Sequence, residues 1–348
     1  VVSIDEVARA AGVSTATVSR ALSGRGNVSP ATRARVDAAA ASLGYVVSSS
    51  ASSLASGRTR NIGVLVPFLD RWFFSTVLAG IADTLMRHGY DITLYSLTVG
   101  REQRSRIFQE FLRRRRVDGV IAISIELDAD EIQRLRELDL PVVAIGGPTP
   151  GLTSLAMDDV ALARLATEHL IALGHTAIAH IGGENEFDVD FHIPVRRRAG
   201  YEQALEEAGI AVDPALYEPG DFTIEGGFHA AKQLLGRPGP HPTAVFAASD
   251  EMAIGAMLAA RELGYRVPED LSVVGIDGHE LGSFFRLTTV DQAPRAQGER
   301  AAAAILGELE ESGTPAPQVG PAEQPFRLVV RGSTARPDGD PAAGRLRV

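Results

Sequence analysis

From Asn61 onward the chain repeats one rhythm, a short apolar run followed by an amphipathic helical stretch, and this alternation restricts the fold more than any other feature. IGVLVP, DITLYS, DGVIAIS and PVVAIG are too short for helices and rich in Val and Ile. Between them lie helical patterns from about Phe73 to Arg87, a stretch ending in Arg113 to Arg116, and one running to about Leu138. Strands separated by helices run parallel, because the returning helix carries the chain back to the same end of the sheet. The rhythm restarts after Thr153 with SLAMDD, AIAHIGG, TAVFAAS and LSVVGID, and with helices through His169 and Leu173, around Tyr201 to Ala208, near Glu225 to Leu235 and on to about Leu263. Two doubly wound parallel sheets in series are therefore expected. TTVDQ, a helix from Arg295 to about Glu311 and the strand PFRLVVR remain, and such segments return to complete earlier sheets. The Gly, Pro, Ala and Asp rich stretch 332–348 reads as a disordered tail.

The first 45 residues follow another pattern. In IDEVARAAGVSTATVSRAL, Ile4, Val7, Ala8 and Ala11 share one helical face, which Val13 and Val18 continue beyond Gly12. Gly12 supplies the positive φ that ends a helix, and Ser14 stands where a second helix needs its cap. Two short helices joined by a tight turn are either an ordinary hairpin or a helix-turn-helix whose second helix enters the major groove. The outer face of the second helix favours the groove. It carries Thr15, Ala16, Thr17, Ser19 and Arg20, small or hydroxylated groups plus one guanidinium able to fork onto guanine O6 and N7, and no bulky apolar side chain. Asn27 and Val28 then lead to Ser29 and Pro30, a cap and a first-turn proline, opening a third helix to about Leu43 with Val36, Ala40 and Leu43 inward. Residues 1–46 thus read as an all-α headpiece.

The net charge of −10 fits such a headpiece only when divided by position. Seven arginines against three acids leave +4 on residues 1–60 and −14 on the rest, which concentrates phosphate attraction at the N-terminal module. The hinge segment, 47–60, holds six serines between Ser48 and Ser56 and is too short and serine-rich to nucleate a helix alone. Leu54 is an isolated large apolar side chain there. It is either a linker residue resting on a neighbouring domain or a wedge between base steps in the minor groove.

Other chemistries find little support. The absence of cysteine removes disulfides, thiolate metal sites and cysteine nucleophiles. No apolar run has membrane-spanning length and the chain opens on the helical motif, so neither an anchor nor a secretory signal is expected, and the protein is placed in the cytoplasm, at the nucleoid. There is no GxxxxGKS, HExxH or GxSxG, hence no expected catalytic residue and no cofactor. Asp188, Asp190 and His192 alternate along the acidic loop 184–192, but no fourth ligand or orienting partner is evident nearby, so no metal is expected. His169 and His175 read as a helix face and a cap, and Arg113 to Arg116 as a solvated last helical turn.

Taken together, IDEVARAAGVSTATVSRAL, VSPATRARV, SLASGRT, IGVLVP, RRVDGVI, HLIALGH, RRAGYEQAL, TAVFAASDEMAIGAM, VPEDLSVVGID and LTTVDQ resemble the LacI/GalR family of bacterial transcriptional regulators over residues 3–331. The resemblance implies a homodimer whose helix-turn-helix headpieces bind a pseudo-palindromic operator in double-stranded DNA, with hinge helices forming on the DNA. It also implies a two-lobed α/β body of the periplasmic-binding-protein type that holds a small effector. The chain would cross between lobes three times, with 61–160 and 293–321 in lobe 1 and 161–292 and 322–331 in lobe 2. Base contacts carry over to Thr15, Ala16, Arg20 and Asn27, phosphate contacts and capping to Ser14, Thr17 and Ser19, and hinge contacts to Ala51 and Leu54. Effector contacts carry over to Phe73, Phe74, Arg197, Phe222, Ser249, Asp277 and Gln292. An arginine fork and a carboxylate suit adjacent hydroxyls, and aromatic faces suit a pyranose, so a sugar-like effector is implied. The hinge entry departs from the commoner Tyr-x-Pro-Asn pattern, having Tyr45, Val46, Val47 and Ser48, and no C-terminal leucine heptad suggests a tetramer. The implied function is repression of carbohydrate uptake or utilisation genes. A solute receptor of a transport system would use the same body but not residues 1–60, and a sugar-processing enzyme would share the doubly wound fold.

Overall fold

The computed structural model describes residues 2–22, 27–45, 58–97, 101–114, 116–149, 151–183, 192–238, 241–310 and 322–337. The chain divides after Arg60 into two compact units.

In the first unit, α1 (Ile4–Ala11), α2 (Thr15–Leu22) and α3 (Pro30–Leu43) enclose a core of Val7, Ala8, Ala11, Val18, Ala21, Val36, Ala39 and Ala40. Ser3 accepts the Glu6 N–H and the Glu6 carboxylate accepts the Ser3 N–H at 2.7 Å, so α1 opens on a reciprocal cap. It closes on Gly12 at φ 62°, a conformation that a side chain would strain. Leu43, expected inward, is 37% exposed because the last turn of α3 runs past this small core, and Tyr45 packs against the core instead.

The second unit contains two sheets. Lobe 1 is built on β1 (Asn61–Val66), α4 (Trp72–Arg87), β2 (Asp91–Ser96), α5 (Arg101–Arg106), β3 (Gly119–Ile123), α6 (Ala129–Glu137), β4 (Val142–Gly146) and β5 (Thr153–Ala156). Lobe 2 is built on α7 (Asp159–Ala172), β6 (Ile178–Gly182), α8 (Ile193–Glu207), β7 (Tyr217–Pro219), α9 (Ile224–Gly236), β8 (Ala244–Ala247), α10 (Asp250–Glu262), β9 (Ser272–Asp277) and β10 (Thr288–Asp291). The chain then returns to lobe 1 for α11 (Pro294–Glu310) and β11 (Ala322–Glu323) and ends in lobe 2 with β12 (Arg327–Val329). Among the described residues the sheet orders are β11-β5-β4-β3-β1-β2 and β12-β10-β9-β8-β6-β7. Every pairing is parallel except β10 with β12. Helices cover both faces, so the central strands β3, β4, β6 and β8 are buried along their whole length, as parallel sheets require. Helices α4 and α11 approach so closely that a Cβ on Gly80 would lie 2.2 Å from the Arg295 carbonyl oxygen, and one on Gly298 2.0 Å from that of Val77.

Four boundaries differ from expectation. Residues 157–160 belong to lobe 2 rather than lobe 1, because Met157 and Leu162 enter its core and α7 packs there. Residues 322–323 pair with β5 in lobe 1 rather than lying in lobe 2, so the third crossing falls after them. The stretch 332–337, expected as part of a disordered tail, is stapled to lobe 2. Ser333 is fully buried, its Oγ donating to the Val273 carbonyl at 2.5 Å and accepting the Thr288 N–H at 2.8 Å. His169 contacts Thr334 at 3.0 Å, and His175 lies 2.9 Å from the Ala335 carbonyl, so the two histidines hold this segment. The helix expected around Tyr201 begins earlier, at Ile193.

Inside lobe 2 the His180 imidazole stacks on Phe246 at 4.8 Å and Tyr201 at 5.0 Å. Its Nδ1 donates to the Phe246 carbonyl at 3.1 Å, while Nε2 is buried with no hydrogen-bond partner. Burial therefore favours the neutral ring and pushes its pKa down to about 4 from an ordinary 6.5. The unfolded chain takes up a proton below pH 6.5 and the folded chain does not until about pH 4. The resulting stabilisation, about 3 kcal/mol, is complete above that window and is lost as pH falls through it. His180→Phe keeps the stacking but cannot titrate. Its melting temperature should fall less than the parent's from pH 6.5 to about 4, and parallel melting curves against pH would refute this account.

Candidate DNA-reading helix and effector cleft

In the headpiece, Ala16, Ser19 and Arg20 are exposed on α2, Ser14 is exposed directly before it and Asn27 just before α3, while Thr15 and Thr17 are half-buried. Ser14 acts as the cap: its Oγ accepts the Thr17 N–H at 3.3 Å and lies 2.9 Å from the Thr17 hydroxyl. Arg20 Nε donates to the Ala16 carbonyl at 3.1 Å, which lays the stem of that side chain along the helix. At the far end, Arg33 donates to the Ala21 carbonyl at 2.8 Å, tying α3 to the last turn of α2. Ala51 and Leu54 lie outside the described residues.

The body holds a cavity of about 390 Å³ between its lobes, and every effector residue expected from the sequence lines it. Phe73 and Phe74 come from the first turn of α4, Arg197 from α8, Phe222 from the loop before α9, Ser249 from the cap of α10, Asp277 from the end of β9 and Gln292 from the second crossing. Strand ends and the loops beyond them supply most of this lining, at the carboxyl ends of parallel strands where the chain leaves the sheet. Phe73 and Phe74 meet edge to face at 5.4 Å, and Phe68 lies 5.8 Å from Phe74, which gives lobe 1 an aromatic wall. Opposite it, Arg197 sits 6.0 Å from the centre of the Phe222 ring. Gly183 leaves room for that ring, since a Cβ there would lie 2.6 Å from it. Phe73 and Phe74 also pack against the lobe 1 core and Phe222 against that of lobe 2, so each ring serves both purposes.

The polar floor is already organised. Arg197 donates from Nε to Asp159 at 2.8 Å and from Nη1 to the Ala248 carbonyl at 2.5 Å. Burial raises the Asp159 pKa even with that guanidinium beside it. Gln292 Nε2 donates to Asp277 Oδ1 at 2.6 Å, and Gln297 Nε2 to the Gln292 carbonyl at 2.7 Å. Asp277, at φ 131°, lies near the buried Asp250. Asp250 accepts the His279 N–H at 2.7 Å and the Thr289 hydroxyl at 2.9 Å. Burial pushes both carboxyl groups up, that of Asp277 to about 7.

Sequence reasoning missed Ser124, Asp159, Glu251 and Gln297 in this lining. Ser124 is the most telling, being 1% exposed at φ 46° with a hydroxyl that has no hydrogen-bond partner. Its signal was its place, directly after β3, where a parallel sheet delivers side chains to a cleft. Among the described residues no group of three or more His, Asp or Glu is arranged to hold a metal ion. Asp188 and Asp190 lie outside the described residues, and His192 Nε2 is 3.6 Å from a Glu126 carboxylate oxygen. No described helix is long and apolar enough to cross a membrane.

A small helical module of the groove-reading type, joined in one chain to a two-lobed receptor with an organised cleft, defines a ligand-responsive DNA-binding regulator. Comparison with known proteins agrees. The model of bacterial regulatory proteins of the lacI family matches residues 3–48, and that of the periplasmic binding protein-like domain matches 167–334. The HTH-type transcriptional repressor CytR of Escherichia coli K12 is 36% identical over 94% of this chain and 95% of its own. The lac repressor dimer bound to operator and the anti-inducer ONPF superposes with a TM-score of 0.81 at 30% identity, over 96% of this chain and 99% of that one. A complex of the transcriptional regulator CelR with cellobiose gives 0.67 at 32% identity, over 96% and 100%. The chain belongs to the LacI family of bacterial regulatory proteins.

The buried Arg197–Asp159 pair yields a test of the floor. Arg197→Ala strands a desolvated carboxylate and should destabilise the body by about 3 kcal/mol or more, measured as a lowered midpoint of urea unfolding. Adding Asp159→Asn should restore part of that loss. No recovery in the double variant would show that the carboxylate is not the source of the cost.

Proposed function

We propose that this regulator represses carbohydrate uptake or utilisation genes in the cytoplasm, at the nucleoid, and that a sugar-like effector in the cleft sets its operator affinity. The observation that carries the reading is the division of the cleft, with a phenylalanine wall facing a floor of carboxylate, guanidinium and amide groups. Rings of this kind stack on the apolar face of a pyranose, while fixed polar groups take its hydroxyls. Carboxylates outnumber arginines in the lining, which suits an uncharged polyol better than an anion. The related CelR, seen with cellobiose, supports a sugar. On this reading, dimers place two copies of α2 on a pseudo-palindromic operator, with Thr15, Ala16, Arg20 and Asn27 at the bases, Ser14, Thr17 and Ser19 at phosphates, and Ala51 and Leu54 of the hinge on the duplex.

Two measurements test this function. Arg20→Ala should weaken binding to a duplex selected from a random library by about 1 to 3 kcal/mol while changing binding to unrelated duplex little. Equal losses on both would reject base reading by Arg20. Thermal-shift screening of neutral sugars, cellobiose and ribose among them, should give a stabilising ligand, and calorimetry should then find its affinity altered by the selected duplex. By reciprocity the factor must equal the one by which the sugar alters DNA affinity. A sugar that binds with the same affinity in the presence and absence of DNA would not be the effector.

A further inference from the structure

Helix α4 begins at Trp72 without a side-chain cap of its own, since Arg71 at the cap position makes no such bond. A helix start exposes unpaired N–H groups and a partial positive charge, which call for an anionic acceptor. That acceptor comes from the other lobe. Glu251, in the first turn of α10, accepts the Trp72 N–H through Oε2 at 3.3 Å. The Trp72 indole also lies on the His279 imidazole, 4.3 Å between ring centres and 22° from parallel. His279 is itself fixed, its N–H held by Asp250 and its Nδ1 accepting the Leu281 N–H at 3.0 Å. Phe73 and Phe74, two of the three rings of the aromatic wall, directly follow Trp72.

We propose that Glu251 and Trp72 are positioning residues of the cleft, forming a clasp in which a carboxylate of lobe 2 caps a helix of lobe 1 and a tryptophan–histidine stack fixes the separation of the two walls. The clasp rests on the effector reading only for its purpose, and its existence can be tested with no ligand present. Trp72 is the single tryptophan of the chain, so fluorescence excited selectively at tryptophan comes from this one indole in the full-length protein. In the parent protein the indole should be shielded from acrylamide. Glu251→Ala should red-shift its emission and raise the quenching constant about twofold or more, with the helical circular dichroism unchanged. Glu251→Gln keeps an acceptor without the charge and should fall between the two, and it carries the same test if the alanine variant does not fold. Unchanged emission and quenching in these variants would overturn the clasp.

A second arm uses whichever neutral sugar gives the largest thermal shift in the parent. Glu251→Ala should bind it about tenfold more weakly, the loss expected when a charge-assisted bond that holds the binding arrangement is removed. An unaltered sugar affinity would show that the clasp, though present, does not position the cleft. If no sugar shifts the parent protein, the effector reading fails, while the fluorescence result still decides whether the clasp exists.

Discussion

Parallel strand pairing is the constraint on which the rest of this body depends. Because each helical return brings the chain back to the same end of the sheet, the carboxyl ends of all strands but the antiparallel β12 gather at one end, and two such sheets in series face those ends toward each other. The helices that make the returns also cover both faces, which leaves the central strands mainly apolar, His180 of β6 excepted, and gathers polar groups at strand ends. Ile121 and Ile123 are wholly buried in β3, and Ser124 follows at once. In β9, five buried residues lead to Asp277. The cleft is therefore a consequence of the topology. What the individual sequence contributes is the choice of side chain at each exit.

That division explains what could be read beforehand. The two sheets were legible, since alternating apolar runs and amphipathic helices admit few other arrangements, and the family resemblance brought out Phe73, Arg197, Phe222, Asp277 and Gln292, which the structure places in the lining of one cleft. Strand β11 was not, because a two-residue pairing of Ala322 and Glu323 with β5 leaves no periodicity to detect. Residues 332–337 were misread because composition reports local preference only. Their order comes from partners such as Val273 and Thr288, about 45 to 60 positions away in sequence. Asp159 and Glu251 escaped for a similar reason. Each lies in the first turn of an unremarkable helix, and its importance arises only when Arg197 or Trp72 is brought to it by the fold.

The headpiece follows a different economy. Its core is made chiefly of alanine and valine, so its helices pack closely with little apolar area, and local devices carry an unusual share of its definition. Caps at Ser3, Ser14 and Ser29 and left-handed glycines at Gly12 and Gly44 fix where each helix starts and stops. Such a module keeps the outer face of α2 free of bulky apolar side chains, because none is needed there to hold it together.

An effector can shift the lobes only as far as it binds their two arrangements differently. The polar floor shows where that difference can arise. Asp277 belongs to lobe 2, Gln292 to the crossing and Gln297 to α11 of lobe 1, and hydrogen bonds of 2.6 and 2.7 Å join them in sequence. A hydroxyl that competes for Asp277 must either take the place of the Gln292 amide or share the carboxylate with it. Displacement frees the crossing from its anchor in lobe 2, whereas sharing preserves it. On the proposed reading, two sugars of equal affinity that differ at this one hydroxyl would differ in their effect on the angle between the lobes, because the response would depend on which oxygen reaches Asp277.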